Sequence, residues 1–91
     1  TIKEVYEKAT ISSCQILFEA INNIQNIKYI SQDKTKIKYF PQRKPEDGEI
    51  DLSKSAEEIY NFVRAQSSPY PGAFIKTVDG KKIIIEKIRV D

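Results

Sequence analysis

Four cationic side chains near the middle of the sequence have the clearest capacity for chemistry. Lys36, Lys38, Arg43 and Lys44 lie within nine consecutive residues. An arginine guanidinium binds phosphate through two parallel hydrogen bonds, and a lysine ammonium binds it as a point charge. A strip of such residues is typical of a surface that contacts the phosphates of a ligand. The same residues also fit an ordinary solvated surface, so the sequence leaves both interpretations open.

Groups suited to acid–base, nucleophilic or metal chemistry are scarce. The chain has no histidine, and its three glycines do not form a phosphate-binding loop. The single cysteine, Cys14, has no base near it in sequence and occurs in a helical pattern, which predicts a small buried hydrophobe. Cysteine, histidine and carboxylate residues are not clustered as metal ligands are. We therefore expect neither a catalytic centre nor a metal site in this chain.

Length and composition indicate one small domain or a piece of a larger protein. The chain has 91 residues, of which 40% are hydrophobic and 31% charged, and its net charge of +2 is too balanced to indicate nucleic acid binding by itself. One cysteine precludes an intramolecular disulfide, which favours the cytoplasm, and no apolar stretch is long enough for a membrane span. The sequence lacks methionine and opens inside a helical pattern, so we interpret it as part of a longer protein.

The first quarter of the sequence predicts an amphipathic helix over residues 1–24. Apolar residues recur at three- and four-residue steps, and Thr1 with Glu4 has the spacing of a capping box. Ser12 and Ser13 interrupt the apolar face, and the helix is expected to bend or break there. Residues 35–40 then predict a short edge strand that Pro41 ends, followed by an extended linker.

A second helix and a β-hairpin are predicted in the last forty residues. Ser55 and Glu58 form a capping box at the start of a helix over residues 56–66. Prolines then end the helix, and strands over residues 73–78 and 81–90 flank Asp79-Gly80, a two-residue hairpin signal. The centre of the second strand, residues 83–85, is apolar on both faces and is expected to be covered on both sides.

Other polar and aromatic residues have structural roles as their simplest interpretation. Asp47 and Asp51 are expected to cap turns or to pair with Arg43 rather than to act in catalysis. Arg64 is expected to pack its stem and bond the linker, with ligand binding as the alternative. Tyr70 and Phe74 are expected in the core, with stacking on a base or sugar as the alternative.

The order of these pieces resembles the junction between the catalytic and C-terminal domains of folate-dependent formyltransferases. The resemblance is carried by Arg43-Lys44-Pro45-Glu46-Asp47-Gly48-Glu49-Ile50-Asp51, by Val63-Arg64-Ala65 and by Pro69-Tyr70-Pro71-Gly72-Ala73-Phe74. Leu52 departs from the pattern, since many relatives have Trp there. The resemblance implies an α+β arrangement of N-terminal helix, extended linker, short helix and hairpin, with the hairpin beginning an OB-like C-terminal domain. It assigns residues 1–30 to the last helix of the catalytic domain, 31–52 to the edge strand and linker, and 53–91 to the C-terminal domain.

The same resemblance implies a function for the parent enzyme. Formyltransferases move a formyl group from 10-formyltetrahydrofolate to an amine, and the family's catalytic Asn, His and Asp belong to the part before Thr1. The resemblance therefore implies that this chain is catalytically inert and positions the acceptor. Of the four cations, Arg43 is the first candidate for this contact. The acceptor is expected to be a nucleotide-linked amino sugar, with initiator methionyl-tRNA as the alternative. The apolar face of the first helix is expected to be partly bare, and a homodimer through the C-terminal hairpin is expected as in the shorter sugar enzymes.

Two hypotheses from other functional classes remain open. A stand-alone binding module would also lack catalytic residues. Nucleic acid binding by the chain alone would show as affinity that falls steeply with salt.

Overall fold

The structure is a computed structural model that describes residues 1–91. Its N-terminal part is a single long helix. Helix α1 runs Ile2–Asn22, and the hydroxyl of Thr1 accepts a 3.3 Å hydrogen bond from the Glu4 amide, as the capping box predicts. The expected break at the two serines is wrong, because the helix is continuous through them. One apolar-face interruption removes side-chain packing but leaves the backbone hydrogen bonds of a helix intact. Asn23 ends the helix by donating from its backbone amide to the Glu19 carbonyl at 3.1 Å.

The apolar face of α1 is largely uncovered. None of its residues is buried, and Leu17 and Phe18 are 61% and 68% exposed. The expectation of a bare face is confirmed, whereas the expected burial of Cys14 is wrong, because the thiol is exposed. Both results have one cause: α1 contacts the rest of the chain near its N-terminus, and its second half projects away.

The segment between α1 and the second helix holds only short turns. A 3-10 turn occupies Lys34–Lys36, and Asp33 caps it by accepting hydrogen bonds from the Thr35 amide at 3.0 Å and the Thr35 hydroxyl at 2.6 Å. The predicted edge strand over residues 35–40 is therefore wrong. A strand needs a neighbour for its backbone groups, and no strand of this chain lies beside the segment. A second 3-10 turn, Pro45–Gly48, opens the family-like junction.

Helix α2 spans Ala56–Gln66, with the start that its capping box predicts and an end before the prolines. The Glu58 amide donates to the Ser55 hydroxyl at 3.2 Å, and the Ser55 amide donates to the Glu58 carboxylate at 2.9 Å. One side of the helix is buried at Val63, which is 2% exposed. Ser67 ends the helix, and the Ser68–Pro69 peptide that follows is cis.

Strands β1, Ala73–Lys76, and β2, Lys82–Ile85, form the predicted antiparallel hairpin, with Phe74 opposite Ile84. The loop is three residues, not two, because Thr77 pairs with Lys81 and the Gly80 amide bonds the Thr77 carbonyl at 3.0 Å. Gly80 has φ +80, the left-handed position that such loops use. β2 is also shorter than predicted, and its centre is not covered on both sides, since Ile83 and Ile84 remain 47% and 53% exposed.

The core is small and lies where α2 meets the hairpin. Its buried apolar residues are Val63, Ala73 and Phe74. The radius of gyration is 19.0 Å, against about 12 Å for a compact domain of this length, because α1 projects from the body. The α+β class is confirmed. No helix is long and apolar enough to cross a membrane.

Candidate acceptor-binding linker and junction

The junction begins with a turn that closes on itself. The Lys44 amide donates to the Asp47 carboxylate at 2.8 Å, and the Asp47 amide donates back to the Lys44 carbonyl at 3.0 Å. Pro45 occupies the first position of the turn, where its missing amide hydrogen costs nothing. Asp47 therefore serves the turn and not Arg43. Because the backbone of Lys44 is fixed from both sides, its side chain leaves the junction from a defined point.

Gly48 brings this turn against the start of β1. It is buried, and a Cβ atom at position 48 would lie 2.8 Å from the Gly72 carbonyl oxygen and 3.5 Å from the Phe74 ring. Gly72 has φ +102, and a Cβ there would lie 2.8 Å from the Ile84 side chain. Both positions therefore admit only glycine without a shift of neighbouring atoms. The two glycines let the linker, the proline turn and the hairpin meet at one point.

Backbone hydrogen bonding joins the linker to the outer side of β1. The Ile50 amide donates to the Phe74 carbonyl at 2.8 Å, and Glu49 forms an isolated parallel bridge with Phe74. The Glu49 carboxylate also lies 3.9 Å from the Lys76 ammonium. The Phe74 ring is 3% exposed, with the Lys82 ammonium 4.4 Å from its centroid. Phe74 is therefore a packing residue held between the linker and both strands, and stacking on a ligand would require it to leave this position.

Asp51 caps the turn that leads into α2. Its carboxylate accepts hydrogen bonds from the Ser53 amide at 3.0 Å and the Ser53 hydroxyl at 2.6 Å. These bonds, the hydroxyl first, hold the pKa of the Asp51 carboxyl below its usual value. The Ser55 amide likewise lowers the pKa of Glu58 in the capping box. Both carboxylates keep their charge for structural hydrogen bonds, as the cap interpretation expects.

Arg64 bonds its own helix rather than the linker. Its guanidinium carbon lies 5.2 Å from the Tyr60 ring centroid, and its Nη1 donates to the Asn61 side chain at 3.4 Å. The Arg64 carbonyl accepts a 2.8 Å hydrogen bond from the Ser67 hydroxyl. The expected bond from Arg64 to the linker is therefore absent. The side chain instead lines a cleft of about 460 Å³ between the N-terminus of α1, α2 and the segment after β2.

The proline turn connects α1 to the rest of the chain. Pro69 and Pro71 flank Tyr70, whose amide donates to the Ser67 carbonyl at 3.1 Å. The Tyr70 hydroxyl is hydrogen-bonded to the Tyr6 hydroxyl, and the two rings are 6.3 Å apart at 49°. This hydrogen bond raises the pKa of Tyr70, because it favours the protonated hydroxyl. Tyr70 is 44% exposed, so it lies at the helix contact rather than in the core that the sequence favours.

The four cations of the strip lie on the surface in different local settings. Lys36 lies 3.9 Å from Asp33 within its 3-10 turn. Lys38, Arg43 and Lys44 have no carboxylate at ion-pairing distance. Arg43 lines a cleft of about 230 Å³ together with Ala65, Gln66 and Tyr70. Three of the four cations are thus available to an external anion.

The net charge of the whole chain is small, but basic and acidic residues are unevenly distributed along the sequence. Between Lys28 and Lys44 there are six basic residues and one acidic residue, so this segment carries +5. The other 74 residues carry nine basic and twelve acidic side chains. A local positive field of this size attracts anions although the whole chain is nearly neutral. A charge count in short windows would have found this feature from the sequence.

Metal-binding geometry is absent from the chain, since no three His, Cys, Asp or Glu side chains are grouped as ligands. The junction and the cationic linker are therefore the candidate functional features of the chain.

Residues 42–91 match the family described as formyl transferase, C-terminal domain. The chain belongs to this family. The match covers Arg43, Lys44, the junction and the hairpin, whereas α1, Lys36 and Lys38 precede it.

Two curated relatives match over more of this chain than the family does. Bifunctional polymyxin resistance protein ArnA of Wigglesworthia glossinidia brevipalpis is 41% identical over 92 residues, covering 99% of this chain and 14% of that protein. Methionyl-tRNA formyltransferase of Bacillus velezensis is 37% identical over 81 residues, covering 87% of this chain and 25% of that protein. The chain thus spans a quarter or less of the length of these relatives. No solved structure matches it.

Proposed function

We propose that this chain is the acceptor-positioning part of a formyltransferase that acts in the cytoplasm. The whole protein would transfer a formyl group from 10-formyltetrahydrofolate to an amine. One observation carries the proposal. Three cations of the linker have no ion-pair partner, and directly after them the chain enters the junction shared with the family, which is held in place at Gly48. A fixed anchor with unpaired cationic side chains beside it suits the binding of an acceptor's phosphates.

The chemical step would be supplied elsewhere in the protein. Attack of an amine on a formyl carbon needs a base for the amine proton and donors for the tetrahedral oxyanion. The carboxylates of the junction are committed to turn and cap hydrogen bonds, as at Asp47 and Asp51. This chain would therefore contribute binding energy and orientation. Holding the acceptor correctly is itself a large part of catalysis, because it removes the entropy of a bimolecular encounter.

The folate donor would bind outside this chain. The largest cleft is lined by the exposed charged side chains of Glu4, Arg64, Glu86 and Lys87, which suit water better than the flat ring system of a folate.

A nucleotide-linked amino sugar is the acceptor we favour. A sugar nucleotide carries one diphosphate, and the adjacent pair Arg43-Lys44 supplies two cations at one place. The junction sequence from Arg43 to Phe74 also resembles the sugar branch slightly more, because the tRNA branch more often has Trp between the two prolines, where this chain has Tyr70.

Methionyl-tRNA is the second candidate, and the charge of the linker favours it. A segment of +5 spread over 17 residues can contact several phosphates along a nucleic acid backbone. Affinity for such an acceptor would fall much more steeply with salt than affinity for a diphosphate, because more counterions are released.

A homodimer through the hairpin is part of the proposal. The outer edge of β2 has no strand beside it, and Ile83 and Ile84 are about half exposed there. Unpaired strand edges with apolar side chains readily pair with another chain. A second copy would satisfy the backbone groups of β2 and cover both isoleucines.

A formyl-transfer assay on the intact protein tests the proposal. The donor is held fixed, and the acceptors are a panel of nucleotide-linked amino sugars and charged initiator tRNA. Turnover on a sugar nucleotide is the expected result, and turnover on tRNA alone would transfer the assignment to the second candidate. No formylation of any acceptor would overturn the enzymatic proposal and leave a binding module.

A further inference from the structure

An exposed pair of aromatic residues lies immediately before the cations Arg43-Lys44. Tyr39 is 89% exposed and Phe40 is 85% exposed. A single exposed aromatic side chain is ordinary, but two successive exposed aromatic residues each present a ring face that a ligand can cover. The pair is separated from Arg43-Lys44 only by Pro41 and Gln42.

The backbone between the rings and the cations is suited to a ligand of nucleotide length. No helix or strand forms over residues 37–44, and the two ends of this stretch are extended, with φ −65 and ψ 129 at Ile37 and φ −119 and ψ 159 at Lys44. Pro41 fixes its own φ in the middle. Three residues of chain, from residue 40 to residue 43, reach at most about 10 Å. A nucleoside diphosphate can bridge such a span, with its base at one end and its phosphates at the other.

We propose that Tyr39 and Phe40 form a nucleobase-stacking site that adjoins Arg43 and Lys44, so that the linker binds a nucleotide by its base and its phosphates together. The phosphate half rests on the function proposed above; the base half rests on the exposed rings. Cations alone bind any polyphosphate, whereas aromatic faces add a preference for ligands with a base. Stacking tolerates different bases, because every base has a π face, so the site selects nucleotides as a class.

The binding of three probes to the intact protein tests this inference by titration calorimetry: uridine diphosphate, uridine and inorganic pyrophosphate. Uridine diphosphate should bind about tenfold more tightly than pyrophosphate, the size of effect that base stacking gives. The double variant Tyr39→Leu, Phe40→Leu should abolish this preference and leave pyrophosphate binding unchanged. Tyr29→Leu is the matched control, because Tyr29 is also 89% exposed in the same cationic segment. It should leave all three affinities unchanged.

A second variant reports stacking directly. The chain contains no tryptophan, so Tyr39→Trp introduces one at the site. Its fluorescence should be quenched by uridine diphosphate and not by pyrophosphate.

The outcomes separate this inference from the proposed function. If the double variant keeps the full preference for uridine diphosphate, the stacking site is overturned while the phosphate site stands. If uridine binding depends on the ring pair but Arg43→Gln leaves pyrophosphate binding intact, the stacking site stands and the phosphate role fails. If none of the probes binds, both are overturned, and the rings are then surface for another protein segment.

Discussion

Gly48 lies against the carbonyl oxygen of Gly72, so closely that a Cβ atom at position 48 would be 2.8 Å from that oxygen. This contact joins two segments that are 24 residues apart in sequence. Together with the Ile50–Phe74 hydrogen bond of 2.8 Å, it fixes the end of the cationic linker to the hairpin. The position of Arg43 and Lys44 relative to the hairpin therefore depends on this close backbone contact, together with the Lys44–Asp47 turn.

Gly48→Ala should destabilise the protein for this reason. The obstructing atom is backbone oxygen, so one of the two segments must move, at a cost of about 1–3 kcal/mol. Urea unfolding with circular dichroism measures the loss. Gln42→Ala, at an exposed linker position, should change stability by less than about 0.5 kcal/mol. Equal stabilities for the two variants would show that the close approach is not maintained in solution.

Acid should weaken the start of α2. The folded state lowers the pKa of Glu58 below its usual 4.5, chiefly because the Ser55 amide donates a hydrogen bond to the carboxylate. A group with a depressed folded pKa stabilises the protein above its unfolded pKa, and that stabilisation is lost as the pH falls through the folded value. Thermal unfolding between pH 6 and pH 3 should therefore show a decline in Tm that is smaller in Glu58→Gln.

Glu57→Gln is the matched control for this pH dependence. Glu57 lies in the same first turn of α2 but does not bond Ser55. The decline should persist in this variant. An identical decline in Glu58→Gln and the parent would contradict the role assigned to the capping box.

The contact between α1 and the proline turn should depend on the Tyr6–Tyr70 hydrogen bond. Tyr6→Phe and Tyr70→Phe should each lower the Tm modestly, and the double variant should lose less than the sum of the two. The raised pKa of Tyr70 gives a second readout. The stabilisation that this hydrogen bond contributes is present at neutral pH and is lost as the pH rises above 10.0, the usual pKa of a tyrosine hydroxyl. Strictly additive losses would show that the two hydroxyls are independent.

The proposed dimer should dissociate when a charge is placed on β2. Ile83→Lys puts a cation at an exposed strand position, where edge charges oppose pairing between chains. Light scattering coupled to gel filtration should give a dimer for the parent and a monomer for the variant. Val78→Lys, at a fully exposed position in the hairpin loop, should remain dimeric. A monomeric parent would refute dimerisation through the hairpin.

The sequence predicted elements well where the determinants are local. The capping boxes at Thr1 and Ser55 gave correct helix starts, because a cap depends on residues three apart. The hairpin was predicted for the same reason. Its loop length was wrong, since Thr77–Lys81 pairing depends on the register of both strands and not only on Asp79-Gly80.

Features that depend on distant segments could not be predicted in this way. The edge strand was predicted from alternation alone, but alternation does not supply a neighbouring strand; a 3-10 turn ends at Lys36, and residues 37–40 form no regular structure. The Glu49–Phe74 bridge and the Tyr6–Tyr70 contact join segments that carry no sequence signal for each other. The cations of the candidate site were identified by type, whereas their grouping in a +5 segment required a count by position.

Acceptor kinetics of the double variant Arg43→Gln, Lys44→Gln test the central claim most directly. The intact protein and the variant are compared in formyl transfer, with KM measured separately for acceptor and donor. If the linker binds the acceptor's phosphates, the acceptor KM should rise about tenfold or more, with kcat and the donor KM nearly unchanged. An unchanged acceptor KM, or an equal rise in the donor KM, would contradict the proposal that this chain positions the acceptor.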